Sequence, residues 1–178
     1  MLLQLLDRYR DSLMASPRSR DHQFRPMDLA TVRERLTLEA LAQRQRSAAP
    51  WHAGPDANRY NGRLAPDLST WLIDAASVAF RDLRGGKRLA ISGQLYYPPS
   101  GYMGWHHNGN LPGRRIYCNW AADPDASYFC WLEGTRLVRD WDAAGWNFRT
   151  FVVGGEPPFW HAVYSETHRV SLGFRVVI

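Results

Sequence analysis

In the first half of the chain, apolar residues recur at the spacing of an α-helix. Leu2, Leu5 or Leu6, Tyr9 and Leu13 form one such stripe, which predicts a helix that ends before Pro17. A second helix is predicted to begin after Asp28, whose carboxylate can accept hydrogen bonds from the free amide groups of the first turn. Its apolar face would consist of Leu29, Val32, Leu36 and Ala40, before the sequence becomes polar at residues 43–47.

A third helix is predicted to begin at Pro66 or Asp67 and to stop at the pair Gly85-Gly86. Its inward face would be formed by Leu68, Trp71, Leu72, Ala75, Ala79 and Leu83. The segments before and between these helices are irregular in composition. Residues 16–26 are polar and rich in arginine, which predicts a loop, and residues 50–63 are rich in Gly, Pro and Asn. The second segment is predicted to be a surface connection or part of a substrate lid.

After Gly86 the period of the apolar pattern changes from 3.6 to 2, the period of a β-strand. Turn residues divide this half of the chain into eight candidate strands. They cover residues 87–97, 105–108, 114–121, 127–132, 135–140, 146–153, 158–164 and 168–178. Eight short strands behind three helices predict a mostly β (α+β) jelly roll, with the helices bracing one of its two sheets.

The composition fits this picture and adds little to it. A chain of 178 residues that is 45% apolar suits a single domain, with residues 1–86 as helical support and residues 87–178 as the β core. The net charge of +5 is spread along the chain, so general solubility explains it better than a nucleic-acid surface does. Cys118 and Cys130 lie in apolar strand segments, which predicts free thiols and a reducing, cytoplasmic setting. The N-terminus lacks the pattern of a signal peptide, and no apolar run reaches the length of a membrane span.

Candidate chemistry lies in the second half. His106 and Asn108 are two residues apart, so on a strand both would point to the same side. His161, on the seventh predicted strand, can complete a set of three ligands that leaves other metal positions open. This arrangement is typical of non-haem iron(II) oxygenases. His107 is predicted to face away from the metal.

On the last predicted strand, Arg169, Ser171, Gly173 and Arg175 share one face, and the alternate residues are apolar. Burying guanidinium groups without an anion costs several kcal/mol each, so the basic face predicts an interior carboxylate ligand. The two arginines are six residues, or roughly 20 Å, apart on a strand. Their long side chains would leave room between them for a short dicarboxylate.

Two segments resemble motifs of a known family. Residues 94–108, which contain Gln94, Tyr96, His106 and Asn108, resemble the Asn-x-Tyr to Gly-Trp-His-x-Asp block of AlkB-like members of the 2-oxoglutarate, Fe(II)-dependent dioxygenase superfamily. The tail Arg169-x-x-Leu-x-Phe-Arg175 resembles the C-terminal arginine motif of the same proteins. The resemblance covers residues 87–178 and implies a double-stranded β-helix, the cupin-like jelly roll, which agrees with the eight strands counted from the pattern.

The resemblance also implies roles for individual residues. His106, Asn108 and His161 would bind Fe(II), and Gln94 and Tyr96 would form hydrogen bonds with 2-oxoglutarate. Arg169 would pair with the distal carboxylate of 2-oxoglutarate, assisted by Ser171, and Arg175 would lie near its metal-binding end. Asn108 stands where the family has an acid. Its amide oxygen can ligate a metal but brings no negative charge, so a lower metal affinity is expected.

The function that the resemblance implies is O2-dependent hydroxylation of a C–H bond in a peptide or small molecule, with 2-oxoglutarate converted to succinate. Two alternatives stay open. One is an AlkB-like nucleic-acid demethylase, although the N-terminal half has no obvious basic groove with base-stacking aromatic residues. The other is a binding protein that keeps the fold and the acid site without turnover. The sequence does not indicate an oligomeric state.

Overall fold

A computed structural model describes residues 1–15, 24–47, 56–109 and 111–177 of the chain. Parts of the predicted loop at residues 16–26 and of segment 50–63 therefore lie outside the described residues. The helices within the described residues are α1 (Leu2–Ala15), α2 (Leu29–Glu34), α3 (Leu38–Arg46), α4 (Pro66–Ala79) and α5 (Arg81–Arg84). The strands are β1 (Ala57–Asn58), β2 (Tyr60–Asn61), β3 (Arg88–Tyr97), β4 (Gly101–His106), β5 (Gly113–Ala121), β6 (Ser127–Glu133), β7 (Arg136–Trp141), β8 (Gly145–Val153), β9 (His161–Ser165) and β10 (Arg169–Val177).

The predicted second helix is two helices. Asp28 caps α2 as expected, because its carboxylate accepts a hydrogen bond from the Thr31 amide at 2.8 Å. Thr37 then interrupts the pattern: its hydroxyl accepts a hydrogen bond from the Ala40 amide and starts α3. A side chain that caps a helix competes with continuation of the helix before it, and this competition explains the break.

The predicted third helix is interrupted as well. Its first residue is Pro66, as expected, but it ends at Ala79, and a short α5 follows before Gly85 adopts a left-handed backbone with φ of 55°. Leu68, Leu72 and Ala75 are buried as predicted, and Ala76 is buried too. The inward prediction was wrong for Trp71, Ala79 and Leu83, which are exposed.

All eight predicted strands are present, and two short strands in the segment of residues 56–62 join them. The strands form two antiparallel five-stranded sheets, β1-β4-β9-β6-β7 and β2-β3-β10-β5-β8. Apart from the consecutive strands β6 and β7, neighbours within each sheet come from distant parts of the chain, as in a double-stranded β-helix. We call residues 56–62 the strap, because β1 pairs with β4 in the first sheet while β2 pairs with β3 in the second.

Three apolar clusters hold these layers together. Helices α1 and α4 cover the outer face of the second sheet, where Leu6 and Leu72 contact Leu172 and its neighbours. Helices α2 and α3 cover the outer face of the first sheet, with Val32 and Leu41 in that cluster. The prediction that helices brace one sheet was therefore wrong, since both sheets are covered. The third cluster lies between the sheets and includes Tyr97, Met103, Phe129 and Val163.

Two expectations from the sequence concern the chain as a whole. Cys118 and Cys130 are free and buried, as predicted, and burial raises the pKa of each thiol to about 12. They lie in the two different outer clusters. Among the described residues, no helix combines the length and apolar character needed to cross a membrane.

Candidate metal and acid site

A cavity of about 460 Å³ lies between the two sheets. Its size is that of a small-molecule site. Four groups of residues line it: the strap, strand β3, the region of the two histidines, and the inward faces of β5 and β10. The polar residues among them are Arg59, Asn61, Ser92, Gln94, Tyr97, His106, Asn108, Tyr117, Asn119, His161, Arg169 and Ser171.

Two histidines meet at one end of this cavity. His106 is the last residue of β4 and pairs directly with His161 at the start of β9, so their ring centroids are 4.1 Å apart. The Nδ1 atom of His106 lies 2.9 Å from the carbonyl oxygen of Gly104, and that of His161 lies 2.9 Å from the carbonyl oxygen of Phe159. Because a carbonyl oxygen can only accept, each Nδ1 carries the proton, and each Nε2 carries a lone pair.

Burial keeps both imidazoles neutral. It lowers the pKa of His106 to about 4, despite the hydrogen bond to Gly104. Burial also lowers the pKa of His161 well below the ordinary value, and the neighbouring His106 lowers it further. Phe129, Phe159 and Phe151 surround His161, with centroid distances of 5.3, 5.4 and 6.3 Å. Neutral imidazoles with oriented Nε2 atoms are the form that binds a divalent metal.

Asn108 also lies beside the histidines, but the backbone feature that places it there is not the predicted strand. Strand β4 ends at His106, and Asn108 follows it in a left-handed conformation with φ of 51°. Strand alternation therefore does not place Asn108. The turn does, and it brings the Asn108 Nδ2 atom within 3.2 Å of the His161 Nε2 atom. Rotation of the amide by half a turn would present its Oδ1 atom instead. His107 points elsewhere, against Trp160 at 4.7 Å between ring centroids.

Arg169 lies in the same cavity, and an internal carboxylate holds it there. Its Nε atom donates to Asp142 Oδ2 at 2.8 Å, and both residues are almost completely buried. Asp142 also accepts hydrogen bonds from Ser127 and Arg149. The Nη1 and Nη2 atoms of Arg169 are buried and have no partner among the described residues. They form the polar end of the cavity, above the ring of Tyr97, whose centroid is 5.5 Å from the guanidinium carbon.

The prediction for Tyr96 was wrong. Strand register pairs Tyr97 with Arg169 and Tyr96 with Val170, so Tyr97 faces the cavity and Tyr96 faces the helices. Tyr96 is part of the outer cluster, and its hydroxyl lies 2.7 Å from His168 Nδ1. Gln94 contributes to the cavity wall, and its Oε1 atom is buried without a partner among the described residues.

Arg175 does not line the cavity either. Arg169, Ser171 and Gly173 do, but Arg175 lies beyond them, opposite Arg115 on β5. Arg169 and Arg175, both on β10, therefore do not bind one ligand together in this cavity. Gly173 contributes a bare backbone to the wall. A Cβ atom there would come within 2.7 Å of the Tyr117 ring.

Several residues that line the cavity were not predicted from the sequence, among them Tyr117, Asn119 and Arg59. Tyr117 and Asn119 alternate on β5 with the buried residues Ile116 and Cys118, the same signal that identified the inward face of the last strand. Asn119 Oδ1 accepts a hydrogen bond from Ser171 Oγ at 2.8 Å. Arg59, in the strap, lies in a stretch without periodicity, so no pattern could have identified it.

The fold has counterparts among solved structures. The chain resembles a prolyl-4-hydroxylase from Pseudomonas putida with a TM-score of 0.51 and 15% identity, over 98% of this chain and 100% of that one. An oxidoreductase of the 2OG-Fe(II) oxygenase family from Burkholderia pseudomallei is 15% identical, with a TM-score of 0.49 over 96% of this chain and 88% of that one. OsALKBH1 is also 15% identical, with a TM-score of 0.41 over 64% of this chain and 65% of the other.

At 15% identity the likeness to the prolyl-4-hydroxylase establishes a shared fold alone. The double-stranded β-helix expected from the strand pattern is thereby confirmed. No protein-family model matches the chain, and a search of curated proteins gives no significant match.

Proposed function

We propose that the protein is an Fe(II)- and 2-oxoglutarate-dependent dioxygenase that hydroxylates a C–H bond of a small molecule or peptide. One observation carries the proposal: a single cavity contains the Nε2 atoms of two histidines at one end and, at the other, a buried guanidinium whose Nη1 and Nη2 atoms have no partner among the described residues. The fold shared with the prolyl-4-hydroxylase supports it. A divalent metal suits the first end and a dicarboxylate the second.

The donor set fits iron with one departure. Among the described residues, no three His, Cys, Asp or Glu side chains come together as a metal site, because the third position is an amide. His106 and His161 would hold the metal, and Asn108 would add a neutral oxygen ligand. Arg169, Tyr97, Ser171 and Asn119 would hold the far carboxylate of 2-oxoglutarate.

Iron and 2-oxoglutarate, when bound, supply the activation of O2, and one oxygen atom enters succinate while the other enters the substrate. The protein itself positions the co-substrate and excludes water from the metal end of the cavity. Asp142 fixes the Arg169 guanidinium, which sets the depth at which the co-substrate lies. Phe129, Phe151 and Phe159 keep water away from the metal end, which limits unproductive oxidation.

The direct test is chemical. Purified protein supplied with Fe(II) and O2 should convert 2-oxoglutarate to succinate and CO2, slowly even without a substrate, and a chelator should stop the conversion. Succinate is measured by NMR. If 2-oxoglutarate binds but succinate never forms at saturating Fe(II), the protein is a binding protein and the proposed activity is wrong.

The two tyrosines at the end of β3 provide a matched test of which face holds the co-substrate. Tyr97→Phe is expected to weaken 2-oxoglutarate binding by roughly ten-fold, since a hydrogen bond to a charged group contributes about 1.5–3 kcal/mol. Tyr96→Phe should leave the affinity unchanged, because Tyr96 faces the helices. Isothermal titration calorimetry with a Zn(II)-loaded protein measures both. A larger loss in the Tyr96 variant would contradict this assignment.

Asn108→Asp is expected to tighten metal binding by roughly ten-fold or more, because a carboxylate adds a negative charge to the ligand set. Aspartate tolerates the left-handed backbone of this position, so folding should be little affected. Affinity for Mn(II) can be followed by electron paramagnetic resonance of the free ion. Asn108→Ala serves as the control and should bind more weakly than the wild type; equal affinities in all three proteins would show that residue 108 is not a ligand.

A further inference from the structure

The strap carries an arginine into the wall of the cavity. Arg59 stands between β1 and β2, at the point where the chain passes from one sheet to the other. Backbone hydrogen bonds fix both sides of it: Gly104 N donates to Asp56 O at 2.6 Å, and Gly62 N donates to Gln94 O at 2.6 Å. The position of Arg59 is therefore determined by both sheets.

The neighbour Asn58 fixes this position further. It is 4% exposed, and its amide makes three hydrogen bonds. Its Nδ2 atom donates to Arg25 O at 2.8 Å and to Ser100 O at 3.2 Å, and its Oδ1 atom accepts from Arg25 N at 2.9 Å. A buried side-chain amide with three hydrogen bonds leaves its backbone little freedom, so Arg59 projects from a well-fixed segment.

The guanidinium of Arg59 is only partly satisfied. Nη1 donates to Asn61, but Nε is buried and has no partner among the described residues. Arg59 lines the same cavity as Tyr97 and His106.

The cavity contains buried hydrogen-bond donors that suit an anionic ligand. Among the described residues that line the cavity, the buried side-chain polar atoms without a partner are Gln94 Oε1 and nitrogen atoms of Arg59, Asn119 and Arg169. Two arginines line the cavity, and no described Asp or Glu does. Buried donors of this kind remain costly until an acceptor binds them.

Bound 2-oxoglutarate would not neutralise all of the positive charge in the cavity. Asp142 offsets the charge of Arg169. The two carboxylates of 2-oxoglutarate would offset a divalent metal, and the Asn108 amide, unlike an acid, adds no charge. Arg59, which is partly buried, then has no counter-ion among the described residues that line the cavity.

We propose that Arg59 recognises a carboxylate of the primary substrate, so that the substrate is a small carboxylic acid bound between the strap and the metal. This inference rests on the proposed function and specifies its substrate class. The acid binds alongside 2-oxoglutarate, which occupies Arg169. The Arg59 fork donates to the substrate carboxylate and holds the neighbouring carbon chain toward His106 and His161.

The test uses the full chain loaded with Zn(II), which supports no oxygen chemistry, and saturated with 2-oxoglutarate. Carboxylic acids from acetate to phenylacetate are compared with their primary amides by saturation-transfer difference NMR. N-acetylaspartate amide and N-acetylasparagine amide form a further pair that represents a peptide side chain. The acids are expected to bind at least ten-fold more tightly than the matching amides. Binding confined to the aspartate derivative would identify a peptide as the source of the acid.

Four variants distinguish the roles of the arginines. Arg59→Met should weaken acid binding at least ten-fold while changing 2-oxoglutarate affinity less than three-fold, and Arg59→Lys should recover part of the acid affinity. Arg169→Met should have the opposite effect and weaken 2-oxoglutarate. Arg63→Met removes the same charge just beyond the strap from an exposed residue outside the cavity lining, and should change neither affinity. Thermal unfolding establishes that each variant is folded.

The outcomes distinguish two kinds of failure. If the wild type fails to bind 2-oxoglutarate, the proposed function is wrong, and this is seen before any acid is added. The role of Arg59 is overturned if acids and amides bind equally, or if Arg59→Met keeps its acid affinity. It is also overturned if Arg59→Met weakens 2-oxoglutarate as strongly as Arg169→Met does, since Arg59 would then serve the co-substrate.

Discussion

Asp142→Asn is expected to lower the free energy of unfolding by about 3–5 kcal/mol at neutral pH, the usual cost of removing one partner of a buried ion pair. The Asp142 side chain has no exposed surface and lies between Arg169 and Arg149, whose side chains are 1% and 7% exposed. Without its charge both guanidiniums stay buried. Urea denaturation at pH 7 measures the effect.

The matched control is Asp140→Asn. Asp140 also pairs with Arg149, but its side chain is 47% exposed, so its loss should cost at most about 1 kcal/mol. Equal losses of unfolding free energy in the two variants would show that the burial of Asp142 does not determine the loss of stability. Asp142→Asn should also weaken 2-oxoglutarate binding, because Arg169 would lose the contact that orients it.

The same carboxylate predicts a dependence of stability on pH. Burial alone raises the pKa of Asp142, but the charges of Arg169 and Arg149 and the hydrogen bond from Ser127 outweigh it and hold the pKa at about 2. The unfolded chain has a pKa of about 3.9 at this residue. The advantage of the wild type over Asp142→Asn should therefore be complete above about pH 5 and should disappear as the pH falls from about 4 to about 2.

The second large effect is expected from His161→Asn. The asparagine amide can replace the Nδ1–H donor to the Phe159 carbonyl, but it has no atom at the Nε2 position. Metal affinity should fall by on the order of 100-fold, since one of the two imidazole ligands is lost. Succinate formation should fall with it at limiting Fe(II). Titration with Mn(II), together with thermal unfolding of the metal-free protein, separates loss of the ligand from loss of the fold.

Phe129→Leu is a suitable comparison for His161→Asn, because Phe129 packs on the same ring at 5.3 Å without offering a ligand. This variant should lose stability but keep metal affinity within about three-fold. If both variants lose metal binding equally, the aromatic environment would be responsible and His161 would not be a direct ligand.

The sequence predicted the strands well because each strand alternates between two environments. It predicted Arg169 and Ser171 for the same reason: polar residues on an otherwise apolar strand must face something polar. Asn108 was placed correctly near the histidines by the wrong reasoning, since a left-handed turn and not a strand brings it to His161.

The error at Tyr96 has a physical cause. Helices cover one face of β3 and the opposite sheet covers the other, so Tyr96 and Tyr97 are both 1% exposed. When both faces of a strand are buried, hydrophobicity does not reveal which residue points inward. Pairing with β10 decides it, and pairing is a property of the whole fold.

Arg59 could not be predicted because two-residue strands leave no periodic pattern. Residues 50–63, which include the strap, were predicted to be a surface connection or part of a substrate lid, and residues 59, 61 and 62 line the cavity. What determines their position is pairing with two separate sheets. Local sequence does not encode such long-range contacts in any readable form.

The attachment of the strap to both sheets has a kinetic consequence. Moving the backbone of Arg59 away from the cavity would break backbone hydrogen bonds in the first sheet and the second at once. A ligand therefore meets a guanidinium already in place, and little ordering entropy is lost on binding. Association should then follow a single concentration-dependent phase without a slow rearrangement, so that differences in affinity between acids arise in their dissociation rates.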